Sequence, residues 1–382
     1  MQTIGFLLPR STFYQGISFD LFQGIKSSLS TLGYDDVRVL TENIGFGTDK
    51  QLCYKCAENL IMHENAQIVF AYIGHRTAQV LRPLFAAANR LLIVLDAGAH
   101  LPQEWPVSPH IFYHSLQNAL GSWLSSGLAV RNGHLSASMV TGYYDGGYLH
   151  TVGAHNGYQK AGGNVKLSLA TGYQEEDFSM KPLKDQYESS ESDCVLSIFS
   201  GDYVQWFFKD LQRYFSEQPV PVYLPPFAFE ESMLKEAVYP GNTVSGIAAW
   251  SGKLENEKNK QFIEVITSAG REANLFSLLG WEAGMIAAFL LEQFKETPNV
   301  LAVSEKLKQF SFETPRGMVS FHAETQVSIA PLYEVKIEND GNNRCSVKIV
   351  REVADTATAY EELVSQELNN AVSGWYNSYT CI

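Results

Sequence analysis

The chain has 382 residues, a formal net charge of −13 at pH 7, 45% hydrophobic and 18% charged residues. That length exceeds one ordinary core and suits two lobes, while the acidic balance and the lack of a basic run argue against nucleic acid or an anionic membrane as partner. No window approaches the roughly 18 apolar residues of a transmembrane helix, so no membrane insertion is expected, and the five cysteines (Cys53, Cys56, Cys194, Cys345, Cys381) are odd in number and scattered, against a disulfide framework.

Ile4 to Leu8 is an apolar run of the kind a parallel strand buried on both faces requires. Behind it Phe22, Ile25, Leu29 and Leu32 recur at helical spacing, up to a stop at Gly33. Strand, polar loop and amphipathic helix make the repeating unit of an open α/β sheet, in which ligands lie beyond the carboxyl ends of the strands. Loop 9–18, with Ser11 and Tyr14, is therefore the first candidate wall of a site. Val37 to Leu40 reads as a second strand, and Thr48 as the cap of a helix reaching about His63. Cys53 and Cys56 fall near one face of that helix. A redox pair would sit at a helix start and zinc would need a second ligand pair, so a core role is expected, with no metal and no cofactor.

Gln67 to Ile73 is a third buried strand, ending in Gly74-His75-Arg76-Thr77. The helix that follows points its first amides at this loop, an arrangement that favours a carboxylate, with Thr77 as the expected cap and Arg76 as counter-charge. Leu91 to Leu95 is a fourth strand, delivering Asp96-Ala97-Gly98-Ala99-His100 to the same edge. Asp96 either holds a ligand amine or braces the loop through backbone hydrogen bonds, and the sequence leaves both open.

The Leu-Pro loop after the first strand, the Gly74 loop before a helix containing Pro83, and the strand ending Asp96-Ala97-Gly98-Ala99 resemble the first lobe of the leucine/isoleucine/valine-binding family. These are type I periplasmic binding proteins, the solute receptors of ABC transporters. The resemblance implies an α/β fold of two Rossmann-like three-layer α/β/α lobes joined by three hinge crossings, near 112–116, 245–250 and 325–333. The first lobe would comprise 1–114 with 250–325 and the second 115–249 with 326–382. It further implies that Thr77 meets a ligand carboxylate and that Ala97, Gly98, Ala99 and His100 face the ligand amine. His75 and Arg76 stand where the family commonly has small hydroxyl residues, and Asp96 where serine is frequent, which leaves the ligand class open.

After a short extended run at Ile111 to His114 the same rhythm restarts. Ala137 to Thr141 is a strand, followed by a tyrosine-rich loop, 142–148, whose glycines let backbone approach a ligand. By the resemblance Tyr144 faces the ligand, and Asp145 is expected as a helix cap. No GxGxxG or GxxxxGK[ST] is present, so a nucleotide site is not expected. Val165–Leu169, Asp193–Phe199 and Pro221–Leu224 read as strands, and Gly201 with Asp202 opens a helix as the second-lobe counterpart of loop 74–77. Thr243 to Ala249 is the return crossing. Trp250 beside it either stacks on a ligand or packs as interdomain core, the usual fate of a large aromatic.

Gly280-Trp281-Glu282-Ala283 resembles the family's helix after the hinge, and Pro315-Arg316-Gly317 its closing hairpin, a structural feature. Ile329 to Ile337 reads as one strand. Arg344 to Val353 and a helix through Tyr360, Leu363, Leu368 and Val372 form a tail to which no function is assigned. GxSxG and HExxH are absent, so no catalytic residues are assigned and an enzyme is not expected. The expected function is a receptor closing on a small, amino-acid-like ligand and serving the membrane subunits of an ABC transporter. A small-molecule sensor of the same fold and a two-domain glycosyltransferase-like enzyme are the alternatives. The periplasm or cell surface is the expected compartment, with a signal peptide absent from the sequence as it stands, and the cytoplasm is the alternative.

Overall fold

Buried apolar runs at the start of the chain assemble into a parallel sheet. In the computed structural model, which describes residues 2–100, 107–366, 377, 379 and 380, the first lobe opens with β1 (Thr3–Leu8), α1 (Ile17–Thr31), β2 (Arg38–Asn43), α2 (Lys50–Glu58), β3 (Ile68–Tyr72), α3 (His75–Ala88), β4 (Leu91–Asp96) and β5 (Ile111–Ser115). The strands pair in the order β2-β1-β3-β4-β5, all parallel. The second lobe follows with α4 (Asn118–Arg131), β6 (Ser136–Thr141), α5 (Leu149–Lys160), β7 (Asn164–Ala170), α6 (Lys181–Tyr187), β8 (Cys194–Ile198), α7 (Asp202–Phe215), β9 (Val222–Leu224), α8 (Glu231–Leu234) and β10 (Val244–Ala248). Its parallel order β7-β6-β8-β9-β10 repeats the pattern of the first sheet. Such sheets offer ligands the carboxyl ends of their strands.

The chain then returns to the first lobe. It adds α9 (Glu257–Ser268), α10 (Leu275–Glu296), α11 (Val300–Lys308) and a small antiparallel sheet of β11 (Ser311–Thr314), β12 (Gly317–Phe321) and β13 (Ser328–Ile329). It ends in the second lobe with β14 (Tyr333–Asn339), β15 (Cys345–Glu352) and α12 (Thr356–Val364), β14 lying antiparallel on β10. Ile329 to Ile337 is thus two strands in two sheets. Pro331 between them has no N–H for a ladder, so pairing breaks there. Of the expected last helix, Leu368 and Val372 lie outside the described residues.

Two features hold the first lobe to its late-arriving part. α10 packs on α1 at close range because glycines face backbone: a Cβ on Gly280 would overlap Leu21, and one on Gly24 would overlap Ser277 and Trp281. By length and composition α10 alone among the described helices could cross a membrane, against the expectation that no window comes near; 83% of the apolar window is buried inside the protein, as in a core helix. Its Glu282 is fully buried and paired with Arg316 of the β11–β12 hairpin at 2.8 Å and with His114 at 2.8 Å. Burial alone would raise the Glu282 carboxyl, but the guanidinium beside it holds it down to about 2.

Local corrections follow from hydrogen bonding. α2 is capped by Asp49, whose carboxylate accepts from the amides of Gln51 and Leu52, and not by Thr48, and its last turn, Asn59–His63, widens to a π-helix. Cys53 and Cys56 are free and buried, and burial pushes the Cys53 thiol up to about 12, away from a reactive thiolate. Cys381 lies outside the described residues, among which no group of three or more His, Cys, Asp or Glu could hold a metal ion.

Candidate functional site

The loops at the strand ends of the two lobes meet face to face. The Ser11 hydroxyl accepts from the amides of Phe13 and Tyr14, folding loop 9–16 so that both rings point across the cleft. The Tyr14 hydroxyl accepts a hydrogen bond from the Gly201 amide at 3.0 Å, and the Phe13 ring lies edge-on to Tyr144 with centroids 5.3 Å apart. Gly201 presents that amide from a backbone with φ of 57°, the left-handed region that glycine enters without a Cβ penalty. A second clasp is the Leu149 amide donating to the Ala99 carbonyl at 3.1 Å. The lobes are therefore closed on one another.

Between them lies a slot walled by Phe227, Tyr14, Tyr148 and His150, with Asn118 at its end. Tyr379 of the chain's own tail occupies it, its ring 4.2 Å from Phe227 and stacked at 17°. Its hydroxyl accepts from the Asn118 side-chain amide, its backbone N–H donates to the Tyr148 hydroxyl at 3.0 Å, and its carbonyl accepts from Ser11 at 2.8 Å. Two residues earlier, the Asn377 amide donates to the carbonyls of Phe46 and Tyr72.

Titratable groups gather behind the slot. Burial pushes Asp145 up to about 7 even though the Ser200 hydroxyl donates to it, while burial presses His150, 3.6 Å away, down to about 3. Burial and the neighbouring His75 lower His100 to about 4. Burial alone would raise Asp96, yet His75, 3.0 Å away, holds its carboxyl below the usual range. Each group is therefore biased toward the form its surroundings tolerate. The cavity bounded by His75, Asp96, His100, Gln117 and Tyr360 measures only about 10 Å³, space for roughly one water. A larger hollow, about 870 Å³, opens among Gln2, Tyr34, Asp36 and Glu292. It lies at the amino ends of β1 and β2, the end where such sheets do not place ligands.

The profile of the periplasmic binding protein family matches residues 2–342. The chain belongs to that family. It is a family of binding proteins and not of enzymes, and the type I architecture of two α/β lobes is the one observed. Among solved structures, this periplasmic binding protein is similar to an ABC transporter substrate-binding protein from Sphaerobacter thermophilus, at 18% identity and a TM-score of 0.81 over 93% of this chain and 98% of that one. It is also similar to a solute-binding protein of an ABC transporter from Rhodopseudomonas palustris in complex with 3,4-dihydroxybenzoic acid (14%, 0.75, 92% and 97%) and to a leucine-binding protein from Thermotoga maritima (15%, 0.67, 92% and 99%). No curated protein matches it in sequence.

Within this periplasmic binding protein the residues singled out from sequence fall into three groups. Ser11, Tyr14, Tyr144 and Gly201 meet at the clasp or slot. His75, Asp96 and His100 cluster at the carboxyl ends of β3 and β4, where Asp96 braces a histidine. The others make contacts of their own. Gly74, and not Thr77, is the N-cap of α3; the amides of Thr77 and Ala78 return to the Gly74 carbonyl and the Thr77 hydroxyl turns to Gly47. The carbonyls of Ala97, Gly98 and Ala99 accept from Asn118, Ala119 and Leu149, so all three already tie the first lobe to the second. Asp145 is no helix cap but a buried carboxyl in a 3-10 turn, Asp202 is exposed at the start of α7, and Arg76 is half-buried in the first turn of α3. Trp250 is core, its indole N–H donating to Asn259 at 2.8 Å and its ring edge-on to Phe262. Sequence reading missed the residues that line the slot, Asn118, Tyr148, His150 and Phe227, and its occupant Tyr379. For Tyr379 a signal existed in the aromatic-rich stretch Trp375-Tyr376-Asn377-Ser378-Tyr379, far richer than a solvated tail needs.

Proposed function

We propose that the protein is the solute receptor of an ABC transporter at the periplasmic or cell-surface face, and that it closes on an amino acid or a related small carboxylic acid. The lobes, divided as 1–114 with 250–325 and 115–249 with 326–382, hinge at 112–116, 245–250 and 325–333. The observation that carries this reading is the pair of clasps between strand-end loops, Tyr14 to Gly201 and Ala99 to Leu149, on either side of a slot lined with hydrogen-bonding groups. Groups from both lobes on one ligand are what couples binding to closure. The relatives that bind leucine and dihydroxybenzoic acid share a carboxylate as ligand chemistry and support an acid here. Arg76 in the first turn of α3 supplies a positive charge near the cleft.

The test is ligand-dependent melting against a panel of amino acids, aromatic acids, their amides and sugars, since a ligand that binds only the folded state raises stability with concentration. Acids should raise the melting temperature and their amides should not, and Arg76→Ala should weaken acid binding about tenfold or more, the loss of one charge-assisted bond. A sugar that stabilises the protein while every acid fails would overturn the reading.

A further inference from the structure

Tyr379 is held as a ligand is held. Its ring stacks on Phe227, lies edge-on to Tyr14 and stands 5.5 Å from Tyr148. Its hydroxyl reaches Asn118, whose other side-chain contacts, to His150 and to the Phe227 amide, fix the orientation of the donor. Its backbone nitrogen and carbonyl take the Tyr148 and Ser11 hydroxyls, one from each lobe. The backbone adopts φ of 58°, a left-handed conformation rare for an aromatic residue and kept only where surroundings over-determine it. An aromatic residue packed merely to fill space needs none of these three polar contacts.

We propose that the slot is built for a 4-hydroxyphenyl amino acid or acid, and that Tyr379 is its tethered stand-in, which the free ligand displaces. This rests on the receptor reading above and narrows its ligand class. Selectivity follows from chemistry: Asn118 donates to a phenolic oxygen, and a ring without that oxygen leaves the buried amide hydrogen unpaired. The tail then sets apparent affinity, because a free ligand binds only the fraction of molecules whose slot is vacated. A tethered group acts at an effective concentration of order millimolar, so competition weakens binding of a free ligand by about tenfold or more.

The experiment is calorimetric titration of full-length wild type, Tyr379→Ala and Tyr379→Phe with L-tyrosine, L-phenylalanine, 4-hydroxybenzoate, benzoate and L-leucine. Tyr379→Ala should bind L-tyrosine or 4-hydroxybenzoate about tenfold or more tighter than wild type, and should prefer each phenol to its deoxy partner by about tenfold. Tyr379→Phe keeps the ring and loses the bond to Asn118, so it should fall between the two and guards against an alanine variant that does not fold. The melting temperature of Tyr379→Ala should fall without ligand and recover with the phenolic probe. Equal affinity in wild type and both variants, or no preference for the phenols, overturns the proposal. Tight binding of L-leucine or benzoate by Tyr379→Ala without that preference overturns the phenol assignment and leaves the receptor reading standing. Failure of every acid to bind any of the three proteins overturns both.

Discussion

Asp145 shows how a single buried group sets pH behaviour. Its pKa is pushed up by burial from 3.8 to about 7, so the folded protein keeps a proton that the unfolded chain has lost. Stability from this group is full below about pH 4 and is lost as pH rises through about 7. His150 runs the other way. Lowered to about 3 from 6.5, it leaves the folded state short of a proton across that window, so stability rises with pH. Asp145→Asn removes only the first contribution. In denaturant melts at roughly pH 4.5 and 7.5 the variant should gain on the wild type by about 2–4 kcal/mol at the higher pH, and a gap that does not change with pH would show the carboxyl to be ionised throughout. At this scale the sequence was least informative: His75 and Asp96 were both singled out, but nothing in a separation of 21 residues says that one would pair with the other. The carbonyls of 97–99 were likewise read as ligand contacts, because hydrogen bonds to α4 and α5 depend on a docking that local pattern does not encode.

Elements were far more legible. Buried parallel strands announce themselves as apolar runs, and β1, β3, β4 and β8 are read directly from such runs. Errors sit at boundaries, where a competing side chain decides: Asp49 over Thr48 at α2, Gly74 over Thr77 at α3, Pro331 between β13 and β14. The α1–α10 contact was invisible, since a glycine in a helix reads as a weak point until its partner is known. Gly280→Ala weighs the two effects. Helix propensity favours alanine by about 1 kcal/mol, but the added methyl meets the Leu21 backbone, which cannot rotate away, and overpacking costs about 1–3 kcal/mol or more. Overpacking should win, so urea unfolding should show a net loss of up to about 2 kcal/mol. A more stable variant would mean the helices separate freely.

For the whole molecule the two-lobe plan was readable from the order of motifs, while the closed state was not, because closure depends on contacts such as Tyr14 to Gly201 that lie 187 residues apart. Tyr14→Phe deletes the acceptor and leaves the buried Gly201 N–H unpaired, a penalty of about 1–3 kcal/mol borne only by the closed form. That shifts the ensemble toward open by about five- to a hundredfold. X-ray scattering should give a larger radius of gyration for Tyr14→Phe than for wild type without added ligand, and equal radii would mean the lobes are held by other contacts.

The interleaving of the lobes also governs how the chain can be made. Asp20 on α1 waits for Arg271, 251 residues later, and β10 waits for β14, so neither lobe is complete when its first strands emerge. At about 5–20 residues per second, roughly 10–50 s pass during ribosomal synthesis with the apolar face of α1 bare. The nascent protein is thus expected to need holding factors until its last quarter appears. Chains arrested on the ribosome before Leu275 should be cut by protease within α1, and full-length chains should be protected there.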